Sequence, residues 1–213
     1  MWALVPKWWQ VCIIVACTLL LALAVEAALQ WGGGEALSPW RLVSLITSII
    51  IVGLGGAARL FWRTLWRWFP KLNRWVFPDL NGVWTGKLVS TWADPVTKAS
   101  PPPIDCTITI RQALFDINVS LKTGESRSSS SRESLQAFRD TGCYRIWYGY
   151  HNNPQASVGH RSQPHDGMAW LQVDLDENPN RLTGLYYTSR KTTGDIDVTR
   201  QDDGRLNKDI PLT

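Results

Sequence analysis

Residues 104–122 read IDCTITIRQALFDINVSLK, and the alternation within them decides the fold. Ile104, Cys106, Ile108 and Ile110 fall on one face of an extended chain, and Asp105, Thr107, Thr109 and Arg111 fall on the other. After a break, Phe115, Ile117, Val119 and Leu121 oppose Asp116, Asn118, Ser120 and Lys122. A period of two with one apolar and one wet face marks antiparallel strands packed on a core from one side. The pattern continues in both directions. Strands are expected at about Asn81–Thr91, Asp105–Arg111, Leu114–Lys122, Ser126–Ser134, Cys143–Tyr150, Asp166–Asp174, Arg181–Arg190 and Asp195–Arg200. Thr123-Gly124, Glu177-Asn178-Pro179-Asn180 and Thr193-Gly194 supply turns. With no amphipathic helix of more than two turns between them, eight short strands predict an all-β, antiparallel barrel over residues 79–200, followed by a tail at 201–213.

Upstream of the barrel the chain changes character. Trp8 to Val25 gives 18 consecutive uncharged residues, long enough to span a bilayer as a helix. A second uncharged run, Leu42 to Ala58, has 17 residues. Gln30–Trp40, with three consecutive glycines and Pro39, would let the two lie antiparallel. A cleaved signal peptide is the competitor for the first run, but that run exceeds a signal core of roughly 7–15 residues and a second one follows closely. The expected organisation is therefore a transmembrane hairpin: residues 1–30 as a cytoplasmic start and first span, 31–41 as a short external loop, and 42–78 as the second span with its juxtamembrane segment.

Charge sets the orientation. Seven basic and two acidic residues lie in positions 1–78, against fifteen basic and sixteen acidic in the rest, and nine of the thirteen Trp also fall in the first part. Basic residues sitting in an otherwise apolar anchor are not the footprint of a protein that binds DNA or RNA. Arg59, Arg63, Arg67, Lys71 and Arg74 follow the second run, placing that side, and with it both termini and the barrel, on the cytoplasmic side of the membrane. Arg59, Arg63 and Arg67 recur every four residues on one helical face beside Trp62 and Trp66, a pattern suited to anchoring at the lipid headgroups. Cysteine spacing offers neither a Cys-x-x-Cys pair nor a zinc site, and no cofactor is expected.

An eight-stranded barrel has room inside for side chains or for one small ligand. Ser126, Ser128 and Ser130, with Arg132 in the same parity, either line a polar cavity or form a solvent-facing edge strand. Gly184, Tyr186, Thr188 and Arg190 share a face of the seventh strand. An enzyme is disfavoured because Gly-x-Ser-x-Gly, a phosphate-binding glycine loop and paired metal-ligand histidines are missing from the sequence.

Two apolar spans, then Leu80-Asn81-Gly82-x-Trp84-x-Gly86, Ser128-x-Ser130, Tyr148-x-Tyr150, His165-x-Gly167 and Leu182-x-Gly184-x-Tyr186-x-Thr188-x-Arg190 with Gly194, resemble the two-transmembrane β-strand-rich effectors of bacterial cyclic-oligonucleotide anti-phage signalling (CBASS). The resemblance implies a minimal, lipocalin-like barrel that binds a cyclic dinucleotide made by a partner nucleotidyltransferase. It further implies self-association on binding, disruption of the inner membrane and abortive infection. Such a ligand needs fixed cations, aromatic faces and small hydroxyls. Arg190 and Arg132 would supply charge, Tyr186, Tyr150 and Trp84 stacking, and Ser128, Ser130 and Thr188 hydrogen bonds. His165 is a further ligand contact or a strand-end residue, and core packing is the ordinary use of Trp84. The alternative function is a membrane-tethered, lipocalin-like carrier of an apolar or lipid ligand, which would need an apolar interior.

Overall fold

The alternation at 104–122 folds as β2 (Ile104–Gln112) and β3 (Ile117–Thr123), two neighbours in a closed antiparallel barrel. The others are β1 (Gly82–Ser90), β4 (Ser126–Phe138), β5 (Cys143–Pro154), β6 (His165–Asp174), β7 (Asn178–Thr188) and β8 (Thr193–Arg200). Each strand pairs with the next, and β8 returns to β1. The structure, a computed structural model, describes residues 1–33, 38–50, 55–94 and 96–201. Two compact units result: Met1–Pro70 with Ala113–Phe115, and Lys71–Gln112 with the strands from Asp116 onward.

One half of the barrel is plugged. Trp84, Ile108, Ile110, Tyr144, Ile146, Leu171, Val173, Leu182 and Val198 point inward and are essentially inaccessible. The chain leading into β1 completes the plug: after the short helix α4 (Leu72–Trp75; the three helices before it are given below), Phe77 and Leu80 insert between these side chains, Phe77 edge-on to Tyr144 at 5.5 Å. Burying the backbone of that segment requires partners for its polar groups. Gln112 provides them, its buried carboxamide accepting from Leu80 N–H (2.9 Å) and donating to Pro78 C=O (3.0 Å). Asn81 in turn exchanges two bonds with the Gln112 backbone, and the Trp84 indole N–H donates to Leu80 C=O at 3.1 Å. The motif Leu80-Asn81-Gly82-x-Trp84 is thus a stopper for one barrel end.

Several boundaries differ from the sequence expectation. β4 and β5 run on past Ser134 and Tyr150 to Phe138 and Pro154, and a short 3-10 turn at Ala156–Val158 follows. β7 starts at Asn178 because the Asp174 carboxylate accepts the N–H groups of Asp176 (2.9 Å) and Glu177 (3.1 Å) and closes the turn early. Those two bonds also hold the Asp174 carboxyl below its usual range. In β4 a bulge between Ser130 and Arg132 inserts Ser131, which reverses the facing of everything after it.

In the first unit, α1 (Lys7–Trp31) has a mean hydropathy of 2.6 over its most apolar window and is the one described helix long and apolar enough to cross a membrane. Within the second expected span, Leu42 to Ala58, the described residues belong mainly to α2 (Pro39–Ile49) and α3 (Gly55–Trp68); residues 51–54 lie outside the described residues, as do 34–37 of the expected external loop and 202–213 of the tail. Of the residues expected at the anchor, Trp62 and Trp66 are buried and stack edge to face at 5.5 Å, while Arg63 and Arg67, with neighbouring Trp68 and Phe69, are exposed. Four-residue spacing puts both indoles on the buried face of an amphipathic helix. The side chain of Arg59 lies outside the described residues.

Candidate ligand-binding cavity

The other half of the barrel is open. A cavity of about 1040 Å³ occupies it, at the upper end of the range for small-ligand sites, roughly 300–1,000 Å³. Six of the nine residues expected at a ligand site line this cavity: Ser128, Tyr150, His165, Tyr186, Thr188 and Arg190. Leu88, Leu121, Tyr148, Ala169 and Ile196 form its apolar floor.

Three expected residues stand elsewhere. Trp84 is completely buried in the plug, where the Arg200 guanidinium lies 4.5 Å from its ring centre. Ser130 faces inward opposite Tyr150, but its hydroxyl is engaged, accepting from Val119 N–H (3.0 Å) and the Asn118 amide (3.1 Å) and donating to Glu133. Arg132 is turned outward by the bulge at Ser131, opposite Gly149, and Glu133 takes the inward place opposite Tyr148. A run of four serines has no polarity alternation to reveal such an insertion.

The two tyrosines on the wall lie flat because glycines make room. A Cβ at Gly167 would meet the Tyr150 ring at 2.3 Å, and one at Gly194 would meet the Tyr186 ring at 2.5 Å. This accounts for His165-x-Gly167 and for Gly194 in physical terms. The Tyr150 hydroxyl donates to Tyr187 C=O at 3.3 Å, and burial, with the neighbouring Tyr186 adding to it, pushes its pKa to about 12, so it is a neutral donor.

Arg190 lies in a turn and not in the seventh strand. β7 and β8 are joined by Ser189-Arg190-Lys191, with Thr188 N–H donating to Thr192 C=O (2.9 Å) and Lys191 in the left-handed region at φ 62. That is a three-residue hairpin loop whose last position favours glycine. A lysine here costs conformational energy of roughly 1–2 kcal/mol, yet it sets a second cation beside Arg190 at the cavity. The Thr188 hydroxyl is within 2.6 Å of the Thr192 hydroxyl and so holds the turn.

Sequence reasoning missed a third cation. Arg161, in the loop between β5 and β6, also lines the cavity and pairs with Glu125 at 2.5 Å. Gln155 fastens the same loop to the β3–β4 turn through Glu125 C=O (2.8 Å) and Gly124 C=O (3.0 Å). Ser162 accepts a bond from Arg190 at 3.3 Å. Arg161 sits in no periodic element, so no pattern marked it. Asn152, also missed, follows Tyr148 and Tyr150 in parity and would have been found by extending β5 by two residues.

His165 begins β6 at the rim and faces these cations. Burial lowers its pKa below the ordinary imidazole value, and Arg190 and His151 lower it further, against the raising effects of Gln163 C=O and Asp166. It is therefore neutral at pH 7. An anion bound beside it favours the protonated form, so the pKa with ligand bound exceeds the pKa without. Affinity for a phosphodiester is expected to rise as pH falls from 7 through the bound pKa and to level off below the free one, by about tenfold for each unit of difference. Titrations at pH 7.5 and 5.5 should show this for the wild type and not for His165→Asn; equal pH slopes in both would exclude His165 from the site.

The open half thus presents cations, flat aromatic faces and neutral hydrogen-bonding groups around an apolar floor. Residues 75–200 match the family described as Cap15, cyclic dinucleotide receptor domain. The chain is also 26% identical over 141 residues to the CD-NTase-associated protein 15 of Staphylococcus schleiferi, an overlap of 66% of this chain and 69% of that protein. The resemblance carried by the glycine, tyrosine and serine motifs is borne out: the chain belongs to the Cap15 family of CBASS effectors, whose shared domain is a receptor for cyclic dinucleotides.

Proposed function

We propose that the open half of the barrel is where the cyclic dinucleotide binds, and that its binding drives self-association and breaches the inner membrane, so that an infected cell dies before phage release. The observation that carries the reading is the lining of the cavity: Arg190, Lys191 and Arg161 at one mouth, with Tyr150 and Tyr186 on the wall below. Two phosphodiester charges call for paired cations and two bases call for aromatic faces. Arg190, Lys191 and Arg161 bind the phosphodiesters, Tyr186 and Tyr150 stack on the bases, and Ser128, Thr188 and His165 complete the contacts. The messenger comes from a CD-NTase partner, consistent with the relative's name.

The rest of the chain supports the membrane step. α1 crosses the bilayer, and a second crossing over Leu42–Ala58 returns the chain, leaving Arg63 and Arg67 with Trp68 and Phe69 at the cytoplasmic headgroups. Ligand must bind the assembling state more tightly than the monomer, since equal affinity shifts nothing. The loop carrying Arg161 is suited to this, because it is fastened to two different turns through ligand-facing groups. Crowded helices with a short second crossing would then thin the bilayer.

The full chain reconstituted in dye-loaded vesicles of anionic lipid, exposed to a panel of cyclic dinucleotides, tests the proposal. Leakage is expected only with the member that binds, accompanied by a shift to larger assemblies on crosslinking. Tight binding without leakage or assembly would overturn the membrane step while sparing the receptor role. A carrier of apolar ligands is the weaker reading, because Ser126, Ser128, Asn152 and three cations line the cavity.

A further inference from the structure

Most polar groups around the cavity already have partners within the protein. Arg161 is paired with Glu125, Arg190 with Ser162, Thr188 with Thr192 and Tyr150 with Tyr187 C=O. Ser128 and Asn152 differ. They face each other across the β4–β5 ladder, are 6% and 8% exposed, and line the cavity. Neither the Ser128 hydroxyl nor the Asn152 carboxamide makes a hydrogen bond to another group among the described residues, and the polar atoms of both are reached from the cavity.

Buried polar side chains are normally satisfied by the protein, and those that are not call for an explanation. Here the two groups open onto the cavity alone, so their partner is whatever fills it, water in the empty barrel and the ligand once it binds. Their chemistry differs from that of the rim. The rim holds cations, whereas a carboxamide and a hydroxyl are neutral and present donors and acceptors side by side. A carboxamide offers one donor and one acceptor in a plane, the complement of a nucleobase edge. Tyr150, two residues earlier on the same face, supplies an adjoining surface for the base to lie on.

We propose that Asn152, with Ser128, forms a base-reading subsite that sets which cyclic dinucleotide is accepted, separate from the phosphate-binding rim. This rests on the receptor reading given above. A site built to hydrogen-bond its ligand rejects an analogue that lacks the matching group far more strongly than an apolar pocket can reject an isostere, because its own buried groups are then left bare. Selectivity among bases therefore resides in these two side chains, while the cations contribute affinity common to all cyclic dinucleotides.

Calorimetric titration of the full chain in detergent with cyclic di-AMP, di-GMP, di-UMP and di-CMP tests the assignment, with thermal midpoints recorded in parallel. Asn152→Leu is expected to weaken the best wild-type ligand by at least about tenfold with no fall in midpoint, since it removes a buried group that has no partner in the fold. An asparagine serving only the fold would give the reverse. Asn152→Asp changes a donor–acceptor pair into two acceptors, which match the adjacent N1–H and N2–H donors of guanine. The ratio of di-GMP affinity to that of the other three is expected to rise by about tenfold or more, even as the added charge weakens all four. Wild-type selectivity kept by both variants, or a uniform loss with the ranking unchanged, overturns the subsite and leaves the receptor reading in place. A wild type that binds none of the four overturns the receptor reading, and the subsite with it.

Discussion

Arg190→Ala is expected to weaken the binding of the cognate cyclic dinucleotide by about ten- to a hundredfold, the cost of about 1.5–3 kcal/mol for losing a charge-assisted hydrogen bond. Its effect on folding is expected to be small. Arg190 is exposed in a hairpin turn, and its side-chain bond to Ser162 is long at 3.3 Å between exposed groups. The turn is held instead by Thr188 and Thr192 and by the backbone bond from Lys191 N–H to Thr188 C=O at 3.0 Å. Arg190→Lys keeps the charge but loses the planar fork, so it should recover part of the affinity and not all of it. Titration of the three proteins at one salt concentration, with thermal midpoints alongside, is the measurement. An alanine variant that binds within twofold of wild type would remove Arg190 from the phosphate contacts; one that loses affinity and stability together would show that the turn itself had failed.

The barrel was legible in the sequence because most of its strands have one wet face. Where both faces are alike, the reading slipped. The Ser128–Ser131 run gave no sign of the bulge, so Arg132 and Glu133 exchanged places between interior and exterior. Outward-facing Trp147 and Trp170, which lie 6.2 Å apart with Arg145 stacked over Trp170 at 4.3 Å, blur the alternation in β5 and β6 without moving those strands. The β7–β8 turn was placed at Thr193-Gly194 because glycine is the expected turn residue, whereas the left-handed position is held by Lys191 and Gly194 is a seat for Tyr186. Among the residues lining the cavity, parity pointed to those within the expected strands, whereas Asn152, past the expected end of β5, and Arg161, on a loop, were missed. In the first unit, the expected second span runs through residues 51–54, which lie outside the described residues between α2 and α3.

Gly86→Ala is expected to cost the protein its barrel. Exchanging glycine for alanine in a compatible backbone normally stabilises by about 0.4–1 kcal/mol, through the entropy of the unfolded chain. Gly86 is not such a place. It faces inward where β1 passes closest to β8, opposite Val198, and a Cβ there would lie 2.0 Å from Asp197 C=O and 2.7 Å from the Val198 Cα. Both are backbone atoms, so no rotamer change relieves the overlap and the two strands must separate. Gly184 performs the same service between β6 and β7, its Cβ position lying 2.0 Å from Trp170 C=O. A narrow barrel needs sharply coiled strands, and missing side chains at such corners permit the bend. Forcing β1 from β8 breaks the one pairing that closes the sheet, with a loss expected to exceed about 4 kcal/mol, much of the 5–15 kcal/mol that holds a domain together. Gly124→Ala, in the β3–β4 turn with nothing within 4 Å of the added carbon, is the matched control and should be nearly neutral. Denaturant midpoints for the two variants should differ widely; a Gly86→Ala protein as stable as Gly124→Ala would mean that β1 and β8 do not approach this closely, and that the barrel closes by some other pairing.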